Sequence, residues 1–380
     1  MQQSILQADP RANYLAHKAE IDEAISRVLE SGRYILGRET EAFEKEFAAY
    51  LEAAYAVGVG NGTDALEIAL RACGVGPGDG VVTVSHTSVA TVAAIECIGA
   101  LPIFVDIDPA SFTMDPGNLN DTLTKIFDNR QPGITPTPKA VIPVHLYGYP
   151  AGMPAILEIC QRYELYVVED CAQSHGAALQ GRKTGTWGNI GTFSFYPTKN
   201  LGAMGDGGAV ITSDPNLYDH ARMLREYGWR ERYISELPGM NSRLDEIQAA
   251  ILRVKLRYLE EENSRRREIA QQYNAFLAGT PMTLPKEQSD RTHIYHQYVV
   301  RSQQRDKLKE YLKSNSIGSL IHYPIPIHRQ PAYKFRLKTE NGGLPSTEQV
   351  CREILSLPIY PQMKEEEIHQ VINTILNFFS

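Results

Sequence analysis

Lys199 stands in the run Phe193-Ser-Phe-Tyr-Pro-Thr-Lys-Asn200, just ahead of the glycine-rich Gly202-Ala-Met-Gly-Asp-Gly-Gly208. A lysine held among aromatic rings in a partly dry, glycine-lined site loses proton affinity and can form a Schiff base with a carbonyl. Upstream, Val167-Val-Glu-Asp170 ends an apolar run with a carboxylate, and Gln173 follows. Ligands of α/β sheets bind at the carboxyl ends of strands. Further upstream, Gly58-Val-Gly-Asn-Gly62-Thr63-Asp64 reads as a strand, a glycine turn and a helix start. It lacks the dinucleotide spacing GxGxxG and its acidic ribose partner, but a helix N-terminus with free N–H groups binds phosphate. Singly, each feature has an ordinary reading: a surface lysine, an aspartate N-cap and a tight turn. Together they supply an amine for an aldehyde, a carboxylate for a pyridinium nitrogen and a phosphate cradle, which is what pyridoxal phosphate requires.

These groups need a scaffold that brings distant segments together. Apolar runs at 55–59, 81–84, 103–105, 140–144 and 166–168 read as short buried strands. Helical patterns at 65–73, 88–98 and 153–163 lie between them, the alternation of an open α/β sheet. Two helices precede the first strand: 20–29, stopped by Ser31-Gly32, and 39–51, with Phe43, Phe47 and Tyr50 on one side. After Asn241 the texture changes to a charged helical stretch over 244–277, broken once. A strand at 298–300, a helix over 305–314, the proline-rich His322-Tyr-Pro-Ile-Pro-Ile-His328 and a final helix over 364–379 follow. The expected organisation is a large α/β domain over 1–250 and a smaller α+β domain over 251–380.

The 380 residues are 43% hydrophobic and 22% charged, ample for a sizeable core. The longest apolar stretch, 81–105, is interrupted by Ser85, His86, Thr87, Ser88, Thr91 and Glu96, so no membrane span is expected. The start, MQQSILQADPRANY, has no basic and apolar regions of a secretory signal. Five scattered cysteines without CxxC suit free thiols in a reducing cytoplasm, and no metal site is expected. A net charge of −7 offers no footprint for nucleic acid, and Arg265-Arg266-Arg267 reads as a solvated helix face.

The order of phosphate turn, strand-end Asp170 and Ser194 five residues before Lys199 matches the large domain of pyridoxal-phosphate enzymes of aspartate-aminotransferase fold, fold type I, with a mostly parallel sheet. Across nearly its whole length the chain resembles the DegT-type sugar aminotransferases, which act on nucleotide-linked ketosugars. The resemblance is carried by Ser31-Gly-Arg-Tyr-Ile-Leu-Gly37, Gly60-Asn-Gly-Thr-Asp-Ala-Leu66, Val144-His-Leu-Tyr-Gly148, Glu169-Asp-Cys-Ala-Gln-Ser-His-Gly176, Ser194-Phe-Tyr-Pro-Thr-Lys-Asn200, Gly239-Met-Asn-Ser-Arg243, the 322–328 segment and Ser356-Leu-Pro-Ile-Tyr-Pro361.

The resemblance implies that Lys199 holds the cofactor and shuttles a proton, that Asp170 pairs with the pyridinium, and that Gln173 contacts the ring hydroxyl. Gly62, Thr63 and Ser194 would hold the phosphate, completed by Asn241 of a second subunit, which implies a homodimer with shared sites. His322 and Tyr323 would lie near the nucleotide sugar, although the same segment also reads as a rigid polyproline connector. Many members carry an aromatic residue that stacks on the cofactor ring where this chain has Ser88; His86 is the candidate substitute if the segment is extended there. Relatives with histidine at the Lys199 position run a dehydration, so lysine implies transamination from L-glutamate.

The 224–233 and 239–243 segments look most like members that aminate dTDP-linked 3-keto-6-deoxyhexoses, with Trp229 and Tyr233 either stacking on base or sugar or packing a loop. The alternatives are a 4-ketosugar aminotransferase of the same family, a non-catalytic regulatory protein on this fold, and an amino-acid enzyme such as a desulfurase or decarboxylase using Cys171. Such a cysteine is more often a small buried packing residue.

Overall fold

The computed structural model describes residues 4–128, 136–286, 288–334 and 343–380. The five expected apolar runs form β1 (Tyr55–Val59), β2 (Asp79–Val84), β3 (Leu101–Val105), β4 (Thr137–Val141) and β5 (Tyr166–Asp170), and two strands the sequence reading did not pick out, β6 (Ile190–Ser194) and β7 (Gly208–Thr212), join them. They make one seven-stranded sheet in the order β1-β7-β6-β5-β4-β2-β3. β7 runs antiparallel to β1 and β6, and the other pairings are parallel. Val81, Val82, Val84, Val105, Val141 and Val168 are almost wholly buried, because helices cover both faces of the sheet.

Side-chain alternation along β6 sorts two jobs onto two faces. Phe193 and Phe195 point toward helix Arg38–Leu51, where Phe43 and Phe47 meet them edge-on with centroids 5.1–5.4 Å apart. Ser194 points the other way, toward the cleft at the strand ends. The aromatic cluster thus anchors the strand that presents Ser194 and the turn after it.

The chain beyond the sheet packs a second core. Helices Leu259–Leu277, Arg305–Ser314 and Glu365–Phe379 enclose Tyr273, Leu308, Val371 and Ile375 against the antiparallel pair Tyr298–Arg301 and Ile354–Leu357. Ile5 from the N-terminal segment joins this core. Residue 250 falls inside helix Glu246–Leu256, and the break anticipated in the long charged stretch lies at Arg257-Tyr258. Among the described residues, no helix is long and apolar enough to cross a membrane.

One expectation is corrected. Arg266 is not part of a solvated face: it is 5% exposed and donates to the carbonyls of Tyr295 and Ile359. Its side chain falls on the face of helix Leu259–Leu277 that covers the second core, and a guanidinium can satisfy several carbonyls at once.

Candidate active site

The carboxyl ends of β1, β2, β5 and β6 open onto one cavity of about 380 Å³. It is lined by Gly62, Thr63, Asp170, Gln173, Ser194, Lys199, His322 and Tyr323, so eight of the residues picked from sequence meet in one place. Asn61 caps helix Gly62–Ala72, its side chain accepting from the Asp64 N–H at 2.9 Å. The N–H groups of Gly62 and Thr63 sit in the first turn, where a helix offers donors with no intrahelical acceptor. Gly62 has no room for a side chain: a Cβ there would lie 2.5 Å from the Ser194 Cβ.

Lys199 is presented by a tight loop that leaves β6. Its N–H bonds the Tyr196 carbonyl at 2.8 Å, and the Ala203 N–H returns to the Phe195 carbonyl at 2.7 Å. Gly202 packs onto the Pro197 carbonyl so closely that a Cβ would sit 2.6 Å from that oxygen. Asn200 ties the loop to the second core, donating to Asn263 Oδ1 at 2.8 Å and to the Ile294 carbonyl at 3.2 Å. Burial pushes the Lys199 amine down to about 8, with Asp170 partly opposing.

Asp170 ends β5 and does not cap a helix. Its Oδ1 accepts from the Ala172 N–H at 3.1 Å and its Oδ2 from the Thr91 hydroxyl at 2.9 Å. Thr87 Oγ1 lies 3.0 Å from Thr91 Oγ1, extending the chain of hydroxyls. Burial raises the Asp170 carboxyl's proton affinity, against the Ala172 and Thr91 hydrogen bonds and the charge of Lys199. Gln173 accepts from the Tyr147 N–H at 2.8 Å and donates to the Tyr323 hydroxyl at 3.2 Å, so its amide is held at both ends. Beside them, Glu169 accepts from the N–H groups of Gly185, Trp187 and Gly188, and His145 Nε2 lies 2.9 Å from it. Cys171 is fully buried, and burial pushes its thiol well up, as suits a packing residue rather than a nucleophile.

Four expected residues are not in this cavity. His86 is corrected outright. β2 ends at Val84 and the chain bends through 85–88, so strand alternation does not carry His86 toward the site. Its ring is fully buried, with Nε2 2.9 Å from the Tyr147 hydroxyl and Nδ1 3.4 Å from Cys351 Sγ. Burial pushes it down to about 3, so it is a neutral strut between the sheet and helix Pro345–Glu353. Ser88 is at the cavity wall and caps helix Val89–Cys97. Trp229 and Tyr233 lie on a small hairpin, Trp229–Glu231 with Ile234–Ser235, their rings 5.3 Å apart. Tyr233 is 73% exposed. Asn241, exposed, bridges to Glu226 at the base of the same excursion.

Sequence reasoning missed the residues that hold the others. Thr91 orients Asp170, and its spacing from Thr87, one helical turn, was the available signal. Tyr147 adopts φ 60° and donates its hydroxyl proton to the His322 carbonyl while its N–H fixes Gln173. Nothing local to Tyr147 announces that double role.

Residues 16–376 match the model of the DegT/DnrJ/EryC1/StrS aminotransferase family. A dTDP-3-amino-3,4,6-trideoxy-alpha-D-glucose transaminase of Streptomyces venezuelae is 46% identical over 97% of this chain and 94% of its own length. A dTDP-3-amino-3,6-dideoxy-alpha-D-galactopyranose transaminase of Aneurinibacillus thermoaerophilus is 43% identical, covering 97% of each chain. The crystal structure of S. venezuelae DesV with a ketimine intermediate superposes with a TM-score of 0.94 at 45% identity, covering 100% of this chain and 99% of that one. With the cavity, its lysine and the sheet order in agreement, the chain belongs to the DegT/DnrJ/EryC1/StrS aminotransferase family.

Proposed function

We propose that the protein transfers the amino group of L-glutamate to the 3-keto carbon of a dTDP-linked 6-deoxyhexose, working as a homodimer in the cytoplasm. The observation that carries the reading is the convergence of Lys199, Asp170, Gln173, Ser194 and the Gly62-Thr63 turn on one cavity. The residues fit pyridoxal phosphate. Gly62 keeps open the space beside Ser194 that a Cβ would fill, and a buried carboxylate and a half-buried amine face the same volume.

Bound there, the cofactor supplies an electron sink conjugated to the carbon that exchanges the amino group. The N–H groups of Gly62 and Thr63 and the Ser194 hydroxyl would hold its phosphate at the positive end of helix Gly62–Ala72. Asp170 would pair with the pyridinium N–H; that cation draws the carboxyl, which burial pushes up, back to its ionised form. Gln173 would turn its amide N–H from Tyr323 to the ring hydroxyl. Lys199, whose amine burial pushes down to about 8 before the cofactor binds, would move the proton from the α-carbon of glutamate toward the cofactor, and on the sugar would run the same transfer in reverse. Glutamate leaves as 2-oxoglutarate and the ketone becomes the amine.

His322 and Tyr323, on the cavity wall, would meet the nucleotide sugar. Trp229 and Tyr233, on an exposed hairpin, and Asn241, at the base of that excursion, stand outside this chain's own cavity, which supports their reaching the site of a second copy. Both relatives described above are named for a 3-amino sugar on dTDP, which favours that keto position and nucleotide.

The test is spectroscopic. The purified protein should be yellow, bleach with glutamate, and regain colour fastest with a dTDP-linked 3-ketosugar. Faster recovery with a UDP- or GDP-linked sugar or a 4-ketosugar would overturn the substrate assignment. A protein that bleaches with glutamate but recovers with no nucleotide sugar would restore the amino-acid-enzyme reading. Failure to take up pyridoxal phosphate would leave a non-catalytic protein on this fold.

A further inference from the structure

The loop that presents Lys199 is held from behind at alternate residues by side chains of two consecutive helices. Asn200 Nδ2 donates to Asn263 Oδ1 at 2.8 Å. The Gly202 carbonyl accepts from Lys255 Nζ. The Met204 N–H donates to Gln248 Oε1 at 2.8 Å. Gln248 and Lys255 lie two turns apart on helix Glu246–Leu256 and therefore share a face.

We propose that Lys255 is a positioning residue for Lys199, acting through the Gly202 carbonyl. Lys255 is 6% exposed, and burying an ammonium is costly unless it is paired and hydrogen-bonded. An apolar side chain would fill this place at less cost if packing were its only role. The carbonyl it holds belongs to a tightly packed residue of the loop, since Gly202 abuts the carbonyls of Pro197 and Tyr196. A shift of Gly202 is therefore passed to the residues that flank Lys199.

The space behind the loop is small and polar. A cavity of about 20 Å³, room for a water, is lined by Lys199, Lys255, Asn13, Glu262, Arg266 and Gln362, among others. Asn13 Oδ1, Gln362 Oε1 and Arg266 Nε are buried there without protein partners. Glu262, which accepts from Asn13 at 2.6 Å and Gln362 at 2.9 Å, supplies the countercharge. Lys255 itself is buried, so water competes less for its bond to Gly202 than it would at the surface.

The inference rests on the proposed transamination, so the wild-type holoenzyme is measured first. Failure of glutamate to bleach it would defeat that reading and not this one. In Lys255→Met the glutamate half-reaction should slow by on the order of ten- to a hundredfold with the KM for glutamate unchanged, because the misplaced amine still faces a bound substrate. The primary isotope effect with α-deuterated glutamate should grow as the proton transfer becomes limiting. Reattachment of pyridoxal phosphate to the apoprotein should slow in parallel, and Lys255→Arg should restore part of each rate. Unchanged rate and isotope effect in a folded Lys255→Met protein would overturn the proposal, as would a lower melting temperature with kcat untouched. Should Lys255→Met not fold, Lys255→Gln, which keeps a shorter donor, must show the same slowing and the same rise in isotope effect.

Discussion

Gly62→Ala tests the phosphate cradle more sharply than removal of any side chain. The added Cβ would lie 2.5 Å from Ser194 Cβ and 3.1 Å from both Ser194 Cα and Oγ. Carbon atoms settle about 3.5–4.0 Å apart, so β6 and the helix start must separate by roughly 1 Å. Such overpacking costs about 1–3 kcal/mol of stability. The larger effect falls on the cofactor, because the Gly62 and Thr63 N–H groups and the Ser194 hydroxyl no longer converge on one point. A hydrogen bond to a charged group contributes about 1.5–3 kcal/mol, so loss of one weakens pyridoxal phosphate binding roughly 10- to 100-fold. The assay is equilibrium dialysis of the apoprotein against pyridoxal phosphate, with Gly76→Ala as control, since nothing lies within 4 Å of a Cβ at that position. A Gly62→Ala protein with unchanged Kd would refute the cradle.

The amine of Lys199 is pushed down to about 8 by burial, so the rate of cofactor attachment to the apoprotein should climb with pH up to about 8 and then level. A solvated lysine would keep climbing toward about 10.4, and stopped-flow absorbance separates the two. His86→Ala should lower stability by about 3 kcal/mol, measured by urea unfolding, because it empties a packed site and strips a partner from the Tyr147 hydroxyl. It should leave the Kd for pyridoxal phosphate unchanged, which a stacking residue would not. Lys199→Ala and Tyr233→Ala chains, each impaired alone, should recover about a quarter of wild-type activity when refolded together in equal amounts if the hairpin serves the partner's site, since about half of the dimers are then mixed and each of those has one intact site of two. Absence of recovery would assign the hairpin to its own chain.

The residues that perform chemistry were legible because chemistry restricts their types: an amine, a strand-end carboxylate and glycines where phosphate approaches. Five of the seven sheet strands were legible because burial on both faces leaves short runs of valine, as in β2 and β5. What stayed hidden was mostly the second rank of contacts. Thr91 meets Asp170 across 79 residues, Lys255 meets Gly202 across 53, and Tyr147 meets the His322 carbonyl across 175. Such pairings exist only once the order β1-β7-β6-β5-β4-β2-β3 is set, and no local pattern encodes that order. His86 shows the same limit from the other side. Alternation is a property of a strand, and two residues beyond Val84 the backbone is no longer one, so the rule pointed a ring at the cofactor that the fold had turned toward Cys351. Arg266 went astray through its neighbours: in a run of three arginines, composition suggests solvent, yet helical periodicity gives each its own face. One of those faces covers a core whose carbonyls at 295 and 359 need donors. The reading succeeds where a residue's own chemistry defines its role and fails where a distant partner does, and the three-point clamp on the Lys199 loop belongs wholly to the second kind.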